Sequence, residues 1–370
     1  MLQIFDERNR DIQIWVGDQL WPRKEAKVSV FDSSVQGGDA VWEGLRVYNG
    51  RRVFRLARHL ERLRSSAHAL GFAAIPPEAY IRKALDQTLA ANGMDDGAHI
   101  RLTLTRGTKI TSGMDPQLNQ SGCTLIVLAE WKAPVYGVAQ AVSEAIAEKT
   151  SGGAADGAGA AVAGGAAGGA AGAAAGATVD GAAGAATDGA GGAAVDADSH
   201  ADAHALPGLR LITSSVRRNG PAFLDSHIHH NNLLNNILAK MEANVAGADD
   251  ALMLDADGFL AETNATNVFV VRAGEVLTPL PDACLPGITR ECVLSLCKQL
   301  NIPAREKRLT LSELYTAQEA FCTGTMGELV PVREADGRQI GEGAAARPVF
   351  AQLSAAFRNL VQQEAEPILP

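Results

Sequence analysis

The chain has 370 residues, 46% hydrophobic and 20% charged, with a net charge of −9 at pH 7. That length fits two domains, each able to bury its own core, and the composition is ordinary for a soluble globular protein. An acidic chain without a basic stripe argues against nucleic acid as a partner, and no apolar run approaches membrane-spanning length.

Ile12 to Val53 reads as short strands and tight turns, with Asn49-Gly50 marking a hairpin. Leu56, Leu60, Leu63, Ala67 and Leu70 share one face of a helix that Gly71 stops. His59, Arg62 and Ser66 form a second stripe beside it, which places Arg62 at the edge of a cleft. Another helix is expected from about Pro77 to Asn92. Ala98 to Arg106 alternates as a strand, with Ile100, Leu102 and Leu104 facing one way, and Gly122 to Trp131 reads as a buried strand.

The composition then changes. Between Ser151 and Ala205 almost every residue is Ala or Gly, with six Asp and no Lys or Arg, so the remainder carries only about −3. Gly at this density costs roughly 1 kcal/mol per occurrence in a helix relative to Ala. The stretch also lacks the apolar area that would offset its ordering entropy. It reads as a disordered insert (151–205) in an interdomain linker (132–207), between a domain at 1–131 and another at 208–370.

Beyond Pro207, strands are expected at Leu209 to Ser215, Asp250 to Asp255, Phe259 to Glu262, Asn267 to Arg272 and Glu319 to Thr323. Leu285 to Arg290 opens a helix reaching about Leu300, and Thr310-Leu311-Ser312-Glu313 reads as a capping box. The stretch from Leu224 to Lys240 passes from a β-compatible segment, ending at His230, into a helix. That helix carries Leu234, Ile237, Met241 and Val245 on one stripe, with Lys240 on its exterior. Polar side chains at such a handover sit where enzymes commonly place reactive groups. His227 and His229 would share a strand face, but no third ligand with metal-type spacing joins them, so no metal is expected. Five cysteines without a CxxC pair, and a start that lacks the form of a signal peptide, point to a cytoplasmic protein.

Four further features suit an anionic, ring-bearing ligand. Arg62 is a cation able to clamp a phosphate. Pro286-Gly287-Ile288-Thr289 offers free N–H groups and a positive dipole end. Thr325, after Gly324, brings a hydroxyl and a close backbone. Glu262 ends a strand beside the polar run from Thr263 to Asn267. Each alone also fits an ordinary surface or turn role.

Their order along the chain carries a resemblance to class IV aminotransferases, the branched-chain group most closely. It rests on Gly38-Asp39-x-x-x-Glu43-Gly44-Leu45-Arg46, Phe54-Arg55-Leu56-x-x-His59-Leu60-x-Arg62-Leu63 and Ala261-Glu262-x-x-x-x-Asn267-Val268-Phe269. Leu285-Pro286-Gly287-Ile288-Thr289-Arg290 and Gly324-Thr325-x-x-Glu328-Leu329-x-Pro331-Val332 complete it. The resemblance implies an α/β (α+β) fold, with a small N-terminal α/β sandwich and a larger C-terminal pseudo-barrel domain, assembled as a homodimer. It implies pyridoxal 5'-phosphate (PLP) or its amine form, pyridoxamine 5'-phosphate (PMP), with Arg62, Ile288, Thr289 and Thr325 on the phosphate and Glu262 on the pyridine nitrogen. Gly37, Arg101, Trp131 and Met326 would lie on the substrate side, Gly37 replacing an aromatic residue. The pattern's cofactor-linked lysine falls on His229, which has no primary amine. The expected function is therefore a transaminase-type enzyme for small apolar amino and 2-keto acids that holds its cofactor non-covalently, with His229 as acid and base. The alternatives are a lysine-free relative with other chemistry, and a cofactor-binding pseudoenzyme.

Overall fold

A computed structural model describes residues 5–133, 208–341 and 347–369. The insert read at 151–205 lies outside them.

Strands β1 (Gln13–Val16), β2 (Gln19–Pro22), β3 (Ala40–Tyr48), β4 (Arg52–Phe54), β5 (Ala98–Thr105) and β6 (Thr124–Trp131) build the first sheet. A short helix, α1 (Ser33–Gly37), precedes β3, while α2 (Leu56–Ala69) and α3 (Glu78–Asn92) follow β4. The Asn-Gly hairpin forms as expected: β3 and β4 pair with Val47 opposite Val53, and Gly50 takes a φ of +79°. Leu56, Leu60 and Leu63 of α2 and Ile81, Leu85 and Leu89 of α3 bury against Val41, Leu45, Ile100 and Leu102 of the sheet. β3 turns Val41, Glu43, Leu45 and Val47 inward. A carboxylate thus occupies a core position, and it organises the site.

The second sheet contains β7 (Leu209–Thr213), β8 (Asp250–Leu254), β9 (Leu260–Thr263), β10 (Asn267–Arg272) and β11 (Glu275–Thr278). It is completed by β12 (Ala304–Glu306), β13 (Glu319–Gly324), β14 (Glu328–Ala335) and β15 (Arg338–Gln339). Their order is β12-β11-β10-β13-β14-β7-β8-β9, with β15 against β14. Helix α4 (Leu234–Val245) packs on β8, and the capping box of α6 (Leu311–Tyr315) closes in both directions. Cross-strand partners Phe269 and Phe321 stack with ring centroids 5.0 Å apart. Above them lie Val293 and Leu296 of α5 (Ile288–Gln299) and Phe350, Leu353 and Phe357 of α7 (Pro348–Glu364). The last strand, β16 (Ala365–Pro367), pairs with β4 and joins the first sheet.

Two readings of the central stretch need correction. The segment ending at His230 is not a strand: Ile228 N–H donates to the Asp225 carbonyl at 3.1 Å, closing a turn, and only His230 bridges Val41. On α4 the burial is also reversed. Ala239 and Ala243 sit against Ala251 and Met253, because small side chains let helix and sheet approach closely. Leu234, Ile237, Leu238, Met241 and Val245 face outward, Met241 57% and Val245 91% exposed. Lys240 turns inward instead, its Nζ 3.5 Å from the Asp250 carboxylate. No helix among the described residues is long and apolar enough to cross a membrane.

Candidate active site

Glu43 is fully buried and holds three side chains. Arg62 donates from Nε to one carboxylate oxygen and from Nη2 to the other, each at 2.7 Å. His59 Nδ1 lies 2.7 Å from Oε2, and His229 Nδ1 lies 3.3 Å from Oε1. The local sequence explains this convergence. β3 sends alternate side chains inward, and His59, Arg62 and Ser66 sit three or four residues apart on one side of α2. Ser66 Oγ accepts from His229 N–H at 3.1 Å, and Trp42 N–H donates to the His229 carbonyl at 3.0 Å. The His229 ring packs on Trp42 with centroids 4.2 Å apart. Backbone and ring are therefore fixed independently.

The electrostatics follow from burial and charge. Burial pushes the Glu43 carboxyl up, but Arg62 and then His229 outweigh it and hold it well below the usual carboxylate range. Burial pushes His229 down to about 4 against the pull of Glu43, leaving a neutral imidazole at neutral pH. Its folded pKa lies below the ordinary 6.5, so the unfolded chain binds more protons and stability is lost as pH falls between those two values. Unfolding in urea at pH 7 and pH 5 should show wild type losing about 2 kcal/mol more than His229→Gln. An equal loss in both proteins would contradict a buried, neutral His229.

Ile288 and Thr289 open α5, where Gly287 is the N-cap. A Cβ on Gly287 would meet Asn267 Oδ1 at 2.1 Å, so glycine is required at this close approach. Ile288, Thr289 and Thr325 line one small cleft together with His59, Arg46 and Tyr48. Arg62 Nη1 reaches the Pro286 carbonyl at 3.2 Å, tying the Glu43 cluster to the entry of α5. Three residues named from sequence for an anion thus share a cleft whose wall also carries a Glu43 partner.

Glu262 is buried and accepts from Arg218 Nε at 2.6 Å, Asn267 Nδ2 at 3.1 Å and Leu285 N–H at 3.3 Å. Burial raises its pKa while Arg218 opposes the rise. Arg101 donates to Asn231 Oδ1 at 2.6 Å and lies over Trp42, 4.0 Å from its ring centroid, one ring away from His229. Gly37 is exposed at the end of α1, and an added Cβ there would meet nothing within 4 Å. Met326 is half-buried in the turn after Thr325. At Trp131 the main chain bonds the Asn9 side chain, and Arg8 lies over the ring at 5.0 Å. The histidines also diverge, because His227 bonds Asp225 in an exposed turn at 3.0 Å while His229 goes to Glu43. Among the described residues no group of three His, Cys, Asp or Glu is arranged to hold a metal ion.

Glu43, Ser66, Trp42, Asn231 and Arg218 were not picked out as site residues from the sequence. An acid at an inward position of an alternating strand was the readable signal for Glu43, since an unpaired carboxylate is almost never buried.

The fold and these elements define a known class. The amino-transferase class IV family matches residues 40–156 and 177–335, and the chain belongs to that family. Within it, the similarity is to branched-chain members. The chain is 47% identical over 360 residues to branched-chain-amino-acid aminotransferase-like protein 2 of Arabidopsis thaliana, covering 97% of this chain and 52% of that protein. It therefore spans about half the length of the two Arabidopsis relatives it matches. It is 32% identical to a putative branched-chain-amino-acid aminotransferase of Methanocaldococcus jannaschii, covering 90% of this chain and 92% of the relative. Among solved structures, the Escherichia coli branched-chain amino acid aminotransferase superposes with a TM-score of 0.71 at 26% identity, with 96% of each chain covered. A second branched-chain amino acid aminotransferase, complexed with N-(5'-phosphopyridoxyl)-L-glutamate, also reaches a TM-score of 0.71. It is 28% identical, with 96% of this chain and 95% of that one covered.

Proposed function

We propose that the chain is an aminotransferase that exchanges an amino group between small apolar amino acids and 2-keto acids, using PLP and PMP held without a covalent link. Family membership and the branched-chain relatives support the reaction class, and the phosphopyridoxyl compound on the second of those solved enzymes supports the cofactor. The non-covalent reading rests on the sequence resemblance that aligns His229 with the family's lysine, and the way Glu43, Ser66 and Trp42 fix His229 supports it.

The residues present fit the cofactor in other respects. The α5 start with Thr325 offers backbone N–H groups and a hydroxyl to a phosphate, and Gly287 lets Asn267 pack directly against that turn. Arg62 pairs with Glu43 and holds Nη1 at the α5 entry, where it can donate to the phosphate. Glu262, oriented by Arg218 and Asn267, would hold the ring nitrogen. The bound cofactor supplies the electron-withdrawing ring and the carbon that carries the amino group. His229 supplies a neutral base that takes a proton from the substrate side and returns it. Arg101, anchored by Asn231 and Trp42, offers a cation to a substrate carboxylate. Equilibrium dialysis tests the reading: wild type should retain PLP with micromolar affinity, about 8 kcal/mol. No retention would refute it.

We further propose a homodimer in the cytoplasm. Five unpaired cysteines support the compartment. The outward stripe of α4 supports the assembly, since monomers rarely leave a contiguous apolar face of this kind uncovered. Met241→Lys should move the mass in light scattering from two chains to one, with little change in the thermal midpoint. A wild type that is monomeric at every concentration would remove this role for α4.

A further inference from the structure

Glu43 is a single carboxylate facing two imidazoles and one guanidinium. Arg62 can only donate hydrogen bonds, and it takes one bond to each carboxylate oxygen. Guanidinium and carboxylate are both charged in this pairing. What remains of the carboxylate's accepting capacity meets His59 Nδ1 on one oxygen and His229 Nδ1 on the other. A carboxylate without its proton accepts and does not donate, so each imidazole must bring the proton to that contact. A neutral imidazole with its proton on Nδ1 leaves Nε2 as a lone pair.

We propose that Glu43 is the positioning residue of His229, holding its proton on Nδ1 and presenting Nε2 as the atom that accepts the substrate proton. The role of Nε2 rests on the aminotransferase reading, whereas the tautomer does not. The arrangement has a second consequence. When Nε2 gains a proton, the imidazolium sits 3.3 Å from a carboxylate that is already in place, so no group has to reorganise to meet the new charge. Arg62, itself held at the Pro286 carbonyl, keeps Glu43 ionised and in position through the cycle. Trp42 fixes the ring plane from the side, leaving the ring little freedom to turn Nδ1 away. The groups bearing on this imidazole are Glu43 from β3 and Arg62 and His59 from α2.

The test uses the full chain with 15N-labelled histidine rings, read by long-range 1H–15N correlation at pH 7 without cofactor. His229 is assigned by the signals lost in His229→Gln. The expected wild-type pattern for His229 is a neutral ring with protonated Nδ1 and unprotonated Nε2. An Nε2–H tautomer, or an imidazolium, at His229 would overturn the proposal. Glu43→Gln provides the second reading. Its amide has one oxygen and one donor NH2, so Arg62 claims the oxygen and the NH2 faces an imidazole. At least one of the two rings should then move its proton to Nε2. Unchanged ring signals in a folded Glu43→Gln would equally overturn the role of Glu43. Should that variant not fold, the wild-type tautomer decides alone. A failure of PLP retention would strike the aminotransferase reading and leave the tautomer untouched. A wrong tautomer in a chain that still retains PLP would remove only Glu43's role.

Discussion

His229→Lys is expected to yield a chain that borohydride locks covalently to PLP, whereas wild type yields none. The backbone at this position is already fixed by Ser66 and Trp42, so the substitution changes the side chain and not its origin. A lysine is long and flexible enough to extend past the imidazole's position, and it brings the primary amine that condensation with an aldehyde requires. Its pKa would be pulled in two directions. Burial and Arg62 favour the free amine, while Glu43 favours the ammonium, so trapping should improve as the pH is raised above neutrality. The variant should also exceed wild type in transamination by about 100-fold or more, because one residue then supplies both attachment and proton transfer. The check is intact mass after reduction, with the modified peptide mapped. A trapped lysine in wild type, at Lys240 for instance, would show that the position was misassigned. The inward course of Lys240 toward Asp250 argues against that result.

Arg62→Ala should be the most damaging single truncation in the site, lowering both stability and cofactor retention. Removing one partner from a buried pair leaves the other charge uncompensated, which costs about 3 kcal/mol or more. Here the survivor is Glu43, without exposed surface and left facing two imidazoles. Its carboxyl pKa would rise, because the charge that overcomes burial has gone. PLP retention should fall by at least about tenfold from the loss of the guanidinium donor at the α5 entry. The double variant Arg62→Ala/Glu43→Gln separates the two effects. It should recover part of the stability, since no bare charge remains, while cofactor retention stays low. Recovery of both would mean that Arg62 matters only as the counter-ion of Glu43.

Much of the fold was legible because the patterns were long and clean. The α2 stripe of Leu56, Leu60 and Leu63, the alternation of β5 and the Asn-Gly hairpin each follow from one period or one turn type. The central stretch misled for a physical reason. Apolar size and helical spacing put Leu234, Ile237, Met241 and Val245 on the face expected to pack, yet the sheet takes Ala239 and Ala243, and periodicity cannot tell a core from another surface's partner. The segment before it looked β-compatible, but its hydrogen bonds go to a turn at Asp225 and a single bridge at Val41. The elements proposed to hold an anion were readable because Gly287, Thr289 and Thr325 lie in local motifs. The Glu43 cluster joins β3, α2 and the His229 loop across 186 residues of sequence, and no local window contains it. Trp131 was named by resemblance alone, and its contacts with Asn9 and Arg8 join segments that no local window contains.

The central claim is that a chain without the attaching lysine still transfers an amino group, with His229 moving the proton. The most direct measurement is a single-turnover mixture of protein loaded with one equivalent of PLP and an excess of leucine, isoleucine or valine, quenched and assayed for PMP. The account predicts stoichiometric conversion to PMP in wild type and a loss of about 100-fold or more in rate for His229→Gln at unchanged cofactor retention. Retained PLP that never becomes PMP, or an equal rate in the two proteins, would contradict it.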